Sequence, residues 1–267
     1  MIYDGLSIST KCAPYRRQLK HHYKMQKSKI ETNPLASEPV TIELSLPKNF
    51  MKRERWVESC IEDANFFRNR YGVRYDVHSP YGWGWNGSRD YVHATLAFGR
   101  RTDAGIIVLH PFDFEGTADK LYEGIENPNG MHIAWEVMPY WCKVEEVQHF
   151  LGKHKQREGS DRIVVDLEHV HMAGLPIIKT FDGYSEKGEK IVKIHLSNRC
   201  NGEPHQDIAD GEIPIEVYTE IIQRVLKRSA KTQLVIEVSE LDWNRPDRTL
   251  INMQTLMRLR DSLHLLE

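Results

Sequence analysis

The sequence predicts an α/β fold, a single (β/α)8 TIM barrel spanning residues 1–267. Three observations carry this. The chain has 267 residues, the size of one such barrel. Short β-branched apolar runs alternate with longer amphipathic segments along its length. From the third run onward, each apolar run closes on a histidine or a carboxylate, and parallel barrel strands gather such groups in one mouth.

The elements follow in order. Tyr3 to Ser9 is the first strand, and the polar segment Tyr15 to Ile30 is a helix with a thin apolar face. Val40 to Leu46 is a β-branched second strand. In the helix after it, Trp56, Cys60, Ala64 and Phe67 share a face, and Gly72 is the stop. Val73 to His78 is the third strand. The loop Ser79-Pro80-Tyr81-Gly82-Trp83-Gly84-Trp85-Asn86-Gly87 is rich in glycine and aromatic residues, and a helix runs from Ser88 to about Arg100. Gly105 to His110 is the fourth strand, and Ala118, Leu121, Tyr122 and Ile125 mark a short helix. His132 to Val137 is the fifth strand, followed by a helix with Val144, Val147 and Leu151. Arg162 to Leu167 is the sixth strand. Glycines punctuate residues 174–188, so the helix there is expected to be short or irregular. Val192 to Asn198 is the seventh strand, followed by a polar loop. A helix starts at Pro214 with Val217, Ile221 and Val225 inward. Gln233 to Val238 is the eighth strand, and Leu256, Leu259 and Leu263 face the core from the last helix.

Composition limits the partners. The chain is 40% hydrophobic and 28% charged, enough to bury a core and stay soluble, and its net charge of -2 gives no general pull toward nucleic acid or anionic membrane. Cys12, Cys60, Cys142 and Cys200 form no CxxC pair and suit a reducing compartment. The first residues lack the charged and apolar regions of a signal peptide, and no apolar run approaches the ~20 residues that span a bilayer. A cytoplasmic protein is expected.

The strand ends carry the chemistry. They present His78, His110, Glu136, Asp166 with His169 three residues on, His195 with Glu203 and His205 in the following loop, and Glu237. A lone histidine such as His78 or His110 is more often a hydrogen-bonded packing residue than a ligand. Glu136, Asp166 and Glu237 are harder to dismiss. Each ends a hydrophobic run, and burying a carboxylate without a partner costs several kcal/mol. Three carboxylates in one mouth repel one another, and a divalent cation removes that conflict. Mixed carboxylate and imidazole ligands suit zinc, manganese, iron(II) or cobalt. Glu136, Asp166, His195 and Glu237 can hold one ion. The remaining histidines either hold a second and third ion or bind substrate. His21, His22, His149, His154 and His264 fall on helix surfaces, and His132 sits at the wrong end of its strand. Tyr81, Trp83 and Trp85 either cover a bound sugar ring or pack as a plain loop.

In this order, His78-Ser79-Pro80-Tyr81, Val108-Leu109-His110-Pro111, Trp135-Glu136, Asp166-Leu167-Glu168-His169, His195-Leu196-Ser197, Glu203-Pro204-His205 with Asp210-Gly211, and Ile236-Glu237 resemble the xylose isomerase-like TIM-barrel superfamily. That superfamily holds sugar and sugar-phosphate isomerases and epimerases, and also the endonuclease IV type of apurinic/apyrimidinic endonuclease (AP endonuclease family 2). In the isomerase branch the resemblance implies Glu136, Asp166, His195 and Glu237 as metal ligands. The two glutamates then double as acid/base groups, and His169 touches substrate. In the endonuclease branch it implies three zinc ions held by all nine positions, with Glu136 bridging and His169, Glu203 and His205 on the third ion. The chain departs from that branch at Glu203, where Asp is usual, and at Val137, where Asn often follows the glutamate. The slightly acidic charge and the Trp/Gly loop favour a closed pocket for a sugar or sugar phosphate. The endonuclease, which needs DNA and a basic face, is the alternative. A third possibility is a catalytically inactive ligand-binding barrel, and the buried carboxylates argue against it.

Overall fold

A computed structural model of the protein describes residues 6–12, 14, 16–32, 40–47, 49–80, 89–111, 132–154, 162–186, 190–227, 232–239 and 247–264. Its strands are β1 (Leu6–Cys12), β2 (Thr41–Ser45), β3 (Arg74–His78), β4 (Ile106–Leu109), β5 (His132–Glu136), β6 (Arg162–Asp166), β7 (Lys190–Leu196), β8 (Asn198–Cys200), β9 (Glu203–Gln206) and β10 (Thr232–Ile236). Eight of them close into a parallel barrel in the order β1-β10-β7-β6-β5-β4-β3-β2, and β8 and β9 form a separate antiparallel pair. The fold is therefore the expected (β/α)8 barrel. The first strand lies further along than Tyr3 to Ser9, because its register with β10 runs from Leu6↔Thr232 to Thr10↔Ile236.

The chain divides into two compact units. One comprises Lys11–Glu136 and Gln156–Ser160. Its helices are α1 (Arg16–Thr32), α2 (Glu54–Tyr71) and α3 (Arg89–Thr102). Strands β2 to β5 supply Ile42, Leu44, Val77, Ile107 and Ala134, all fully buried. In α2 the residues spaced three and four apart, Cys60, Ala64 and Phe67, are buried with Ile61, while Trp56 is half-buried. The helix stops at Gly72, whose φ of 69° is left-handed and whose N–H donates to the Arg68 carbonyl at 2.8 Å. In α1, His22 is buried, against the surface position expected of it, and burial lowers its pKa to about 4.

The other unit comprises Met1–Thr10, Val137–Lys155 and Asp161–Glu267. Its helices are α4 (Val144–His154), α5 (Leu167–Met172), α6 (Ile177–Glu186), α7 (Ile215–Lys227) and α8 (Asp247–His264). Ile163, Val164 and Val165 are all buried, as a strand covered on both faces requires. Three expectations change here. Residues 177–186 form a regular helix, because Ile177, Thr180, Phe181 and Tyr184 make a continuous buried stripe that outweighs the glycines. In α7, Tyr218, Ile221, Ile222 and Val225 form the inward face, and Val217 is only half-buried. In α8, Met253 and Leu256 are buried, whereas Leu259 and Leu263 are half-buried. The expected helix around 118–125 lies outside the described residues. Among the described residues no helix is long and apolar enough to cross a membrane.

Candidate metal centre

In the Lys11–Glu136 unit, strand register aligns three side chains. His78 pairs with Val108, and Val108 pairs with Ala134. His110 and Glu136 lie two residues beyond Val108 and Ala134, so the period of two turns all three to one face. They converge on one oxygen. His78 Nε2 lies 3.1 Å and His110 Nε2 2.7 Å from Glu136 Oε2. All three residues are buried.

Proton counting makes this group informative. His78 Nδ1 is 2.7 Å from the Ser79 carbonyl, and its Nε2 faces the Glu136 carboxylate. Both neighbours only accept, yet a neutral imidazole carries a single N–H. If Nδ1–H donates to the carbonyl, Nε2 turns its lone pair toward a carboxylate, an arrangement that a cation between them would satisfy. Burial lowers the His110 pKa, opposed by its hydrogen bond to Glu136 and by that carboxylate's charge, and His78 adds to the lowering. Ser79 Oγ–H donates to His110 Nδ1 at 3.3 Å when His110 Nε2 carries the proton.

In the other unit, Asp166 pairs with His195 between β6 and β7, and Val235 pairs with His195 between β10 and β7. Glu237, two residues past Val235, therefore shares the side of His195. His195 Nδ1 lies 2.9 Å from Glu237 Oε2. Asp166 caps α5, its Oδ1 accepting the N–H groups of Glu168 at 2.8 Å and His169 at 3.2 Å. Its Oδ2 is buried without a hydrogen-bond partner, with His169 Nδ1 3.6 Å away. His169 Nδ1–H donates to the Val137 carbonyl at 2.8 Å, which fixes the tautomer and leaves Nε2 as the ligand-type nitrogen.

Sequence reasoning passed over Glu168. It is 1% exposed and sits two residues past the end of β6. Its Oε2 accepts Ser197 Oγ–H at 2.8 Å and the His205 N–H at 2.9 Å, while Oε1 is buried with no partner. Burial pushes its carboxyl above the ordinary range, the charge of His205 opposes this, and Asp166 adds to it. The signal was available: Glu168 stands between Leu167 and Val170, the same apolar setting that drew attention to Glu136. His205 has a left-handed backbone, φ 55°, and its Nδ1 lies 3.6 Å from Glu168 Oε2. Glu203, which the resemblance put on a third ion, is exposed on β9. Tyr81, Trp83 and Trp85 lie outside the described residues.

Both groups fit a divalent cation. They offer imidazole nitrogens and carboxylate oxygens, and Asp166 Oδ2 and Glu168 Oε1 are buried acceptors whose desolvation no hydrogen bond offsets. That donor set suits zinc, manganese, iron(II) or cobalt.

No protein-family model matches the sequence, and no curated protein matches it. Solved structures match by fold. The crystal structure of AsfvAP:AG aligns at TM-score 0.65 and 11% identity, over 96% of this chain and 98% of that one. A xylose isomerase domain protein from Alicyclobacillus acidocaldarius aligns at TM-score 0.57 and 13% identity, over 96% and 99%. SacUVDE aligns at TM-score 0.54 and 11% identity, over 96% and 99%. At these identities the likeness is one of fold, a (β/α)8 barrel.

Proposed function

We propose that this chain is a divalent-metal-dependent enzyme that isomerises or epimerises a sugar or sugar phosphate by moving a proton at the carbon beside a carbonyl. The observation that carries the metal requirement is the pair of buried acceptors without a hydrogen bond, Asp166 Oδ2 and Glu168 Oε1. His78, Glu136, His195 and Glu237 are of the types that could hold an ion, as are Glu136, Asp166 and His169. On this reading Glu136, Asp166, His195 and Glu237 are metal ligands. When bound, the ion supplies Lewis acidity that makes the C–H beside a carbonyl easier to ionise.

The chain's own groups then divide the work. Glu136 meets two imidazoles through one oxygen, which holds it in place. The Glu237 side chain retains 14% exposure, and this makes it the better placed glutamate to take and return a proton. His169, oriented by the Val137 carbonyl, contacts a substrate hydroxyl. A small substrate is favoured over DNA by the slightly acidic net charge, and Arg101, Arg68 and Arg224 are paired with Glu58, Asp103 and Asp182. Four free cysteines, three of them buried, agree with a reducing cytoplasm.

One observation favours the second reading, a zinc-dependent phosphodiester hydrolase of the endonuclease IV type. His78 and His110 on a single Glu136 oxygen make an ion position beyond what one-ion proton transfer needs. The exposure of Glu203 counts against a complete third position. The deciding test incubates the metal-loaded protein with aldoses, ketoses and their phosphates in deuterium oxide. Deuterium entering substrate at the carbon next to the carbonyl supports the first reading. No exchange with any sugar, together with cleavage of an abasic-site oligonucleotide, would replace it with the second.

A further inference from the structure

We propose that Glu168 is a positioning residue: it holds the β8–β9 hairpin and its left-handed His205 in place, and so sets where the His205 imidazole sits. The inference rests on the metal-dependent reading and takes His205 as one of the ligands, as the resemblance to the endonuclease branch implies.

Four observations combine. Glu168 Oε2 takes the His205 N–H at 2.9 Å and Ser197 Oγ–H at 2.8 Å, tying the chain just after β7 to the far arm of the hairpin. His205 sits at φ 55°, a region that non-glycine residues adopt only when the surroundings enforce it. The N–H that Glu168 captures belongs to that same residue, so the carboxylate stabilises the conformation that would otherwise relax. Ser197 is itself anchored, because its carbonyl accepts the buried Tyr218 hydroxyl at 2.7 Å, and the His205 carbonyl accepts the Ser239 N–H at 2.8 Å. At its other end Glu168 is rooted in the Asp166 cap through its own N–H. One buried carboxylate thus links the Asp166 turn to the residue that presents His205. Glu203 is exposed and one residue from a proline, and makes no comparable anchor.

Both groups that Oε2 accepts from are donors, so a neutral amide oxygen can replace it. E168Q then keeps the hairpin, whereas E168A leaves two buried donors unmet. The experiment compares wild type, E168Q, E168A, H205A and the E168A/H205A double variant by two readouts. The first is hydrogen exchange at the His205 amide, measured on metal-free protein. The second is affinity for Co2+ alone. We expect E168A to speed His205 amide exchange by about tenfold or more. It should also weaken Co2+ binding by about 10–100-fold, the usual effect of losing a support behind a ligand. E168Q should behave as wild type in both. The double variant should bind Co2+ no worse than H205A, because Glu168 acts through His205. Additive losses in the double variant, or an E168Q that fails while its His205 amide stays protected, would overturn the proposal in favour of a role through charge. Should E168A not fold, an unprotected His205 amide in E168Q overturns it equally. A wild type that takes up no Co2+ ends the metal-dependent reading, and the exchange comparison still decides the role of Glu168.

Discussion

The chain carries two acid–histidine groups built from the same residue types. At the ends of β3 to β5, one oxygen of Glu136 meets two imidazoles within 3.1 Å. At the ends of β6 and β7, Asp166 and Glu168 each spend one oxygen on backbone or hydroxyl donors and keep the other buried without a hydrogen bond. In the first group both ring nitrogens of His78 face acceptors. The second has acceptors with no proton at all. Both mismatches are what a polypeptide looks like when a cation is part of its charge balance. The difference lies in the supports. The first group is held by strand register, a property of the barrel itself. The second depends on a short capped helix and a hairpin, which side-chain hydrogen bonds must pin.

Substitutions can break this comparison at either end. The largest effect is expected for Glu136→Gln. It removes the charge that both imidazoles face, and affinity for Zn2+ or Co2+ should fall by more than about a hundredfold, read by titration with the metal alone. The fold should survive, because strand register does not depend on that charge.

An acid titration needs a reference, which His22 provides outside both groups. Burial lowers its pKa from 6.5 to about 4, with His21 contributing. The unfolded chain therefore binds the extra proton first, so the contribution of neutral His22 is complete above about pH 6.5 and is lost as pH falls toward 4. The loss is on the order of 3 kcal/mol. His22→Gln should flatten the acid limb of a stability curve in that window, measured by urea unfolding at several pH values. A limb left unchanged would show that other groups carry it.

Smaller effects refine the second group. Ser197→Ala deletes one of the two donors to Glu168 and should cost about 1 kcal/mol, with His205 still held by its own N–H. Glu203→Ala should change stability by less than about 0.5 kcal/mol and leave metal affinity alone, since the residue is exposed. A large loss of affinity in Glu203→Ala would return the third-ion role to that residue and remove it from the neighbourhood of Glu168.

Much of this was legible in the residues. Apolar runs placed the barrel strands after the first, because strands buried on both faces must be nearly continuous in Val, Ile and Leu, as Ile163 to Val165 are. Carboxylates ending such runs identified Glu136, Asp166 and Glu237. What was hidden depended on local geometry that no period reveals. Glu168 lies in a six-residue helix too short to have a periodic signature. The hairpin of β8 and β9 looked like a polar loop, since its short arms lack β-branched alternation. The helix at 177–186 was masked by glycines whose cost its buried stripe offsets. His22 looked like a surface residue because its neighbours His21 and Lys20 are polar, yet its face of α1 is buried.

The central claim is that divalent cations complete each of these groups. Elemental mass spectrometry of protein purified without chelator tests it most directly. The account predicts about one to three zinc, manganese, iron or cobalt ions per chain, falling in Glu136→Gln. Metal-free protein that takes up none of these ions when they are added would contradict it.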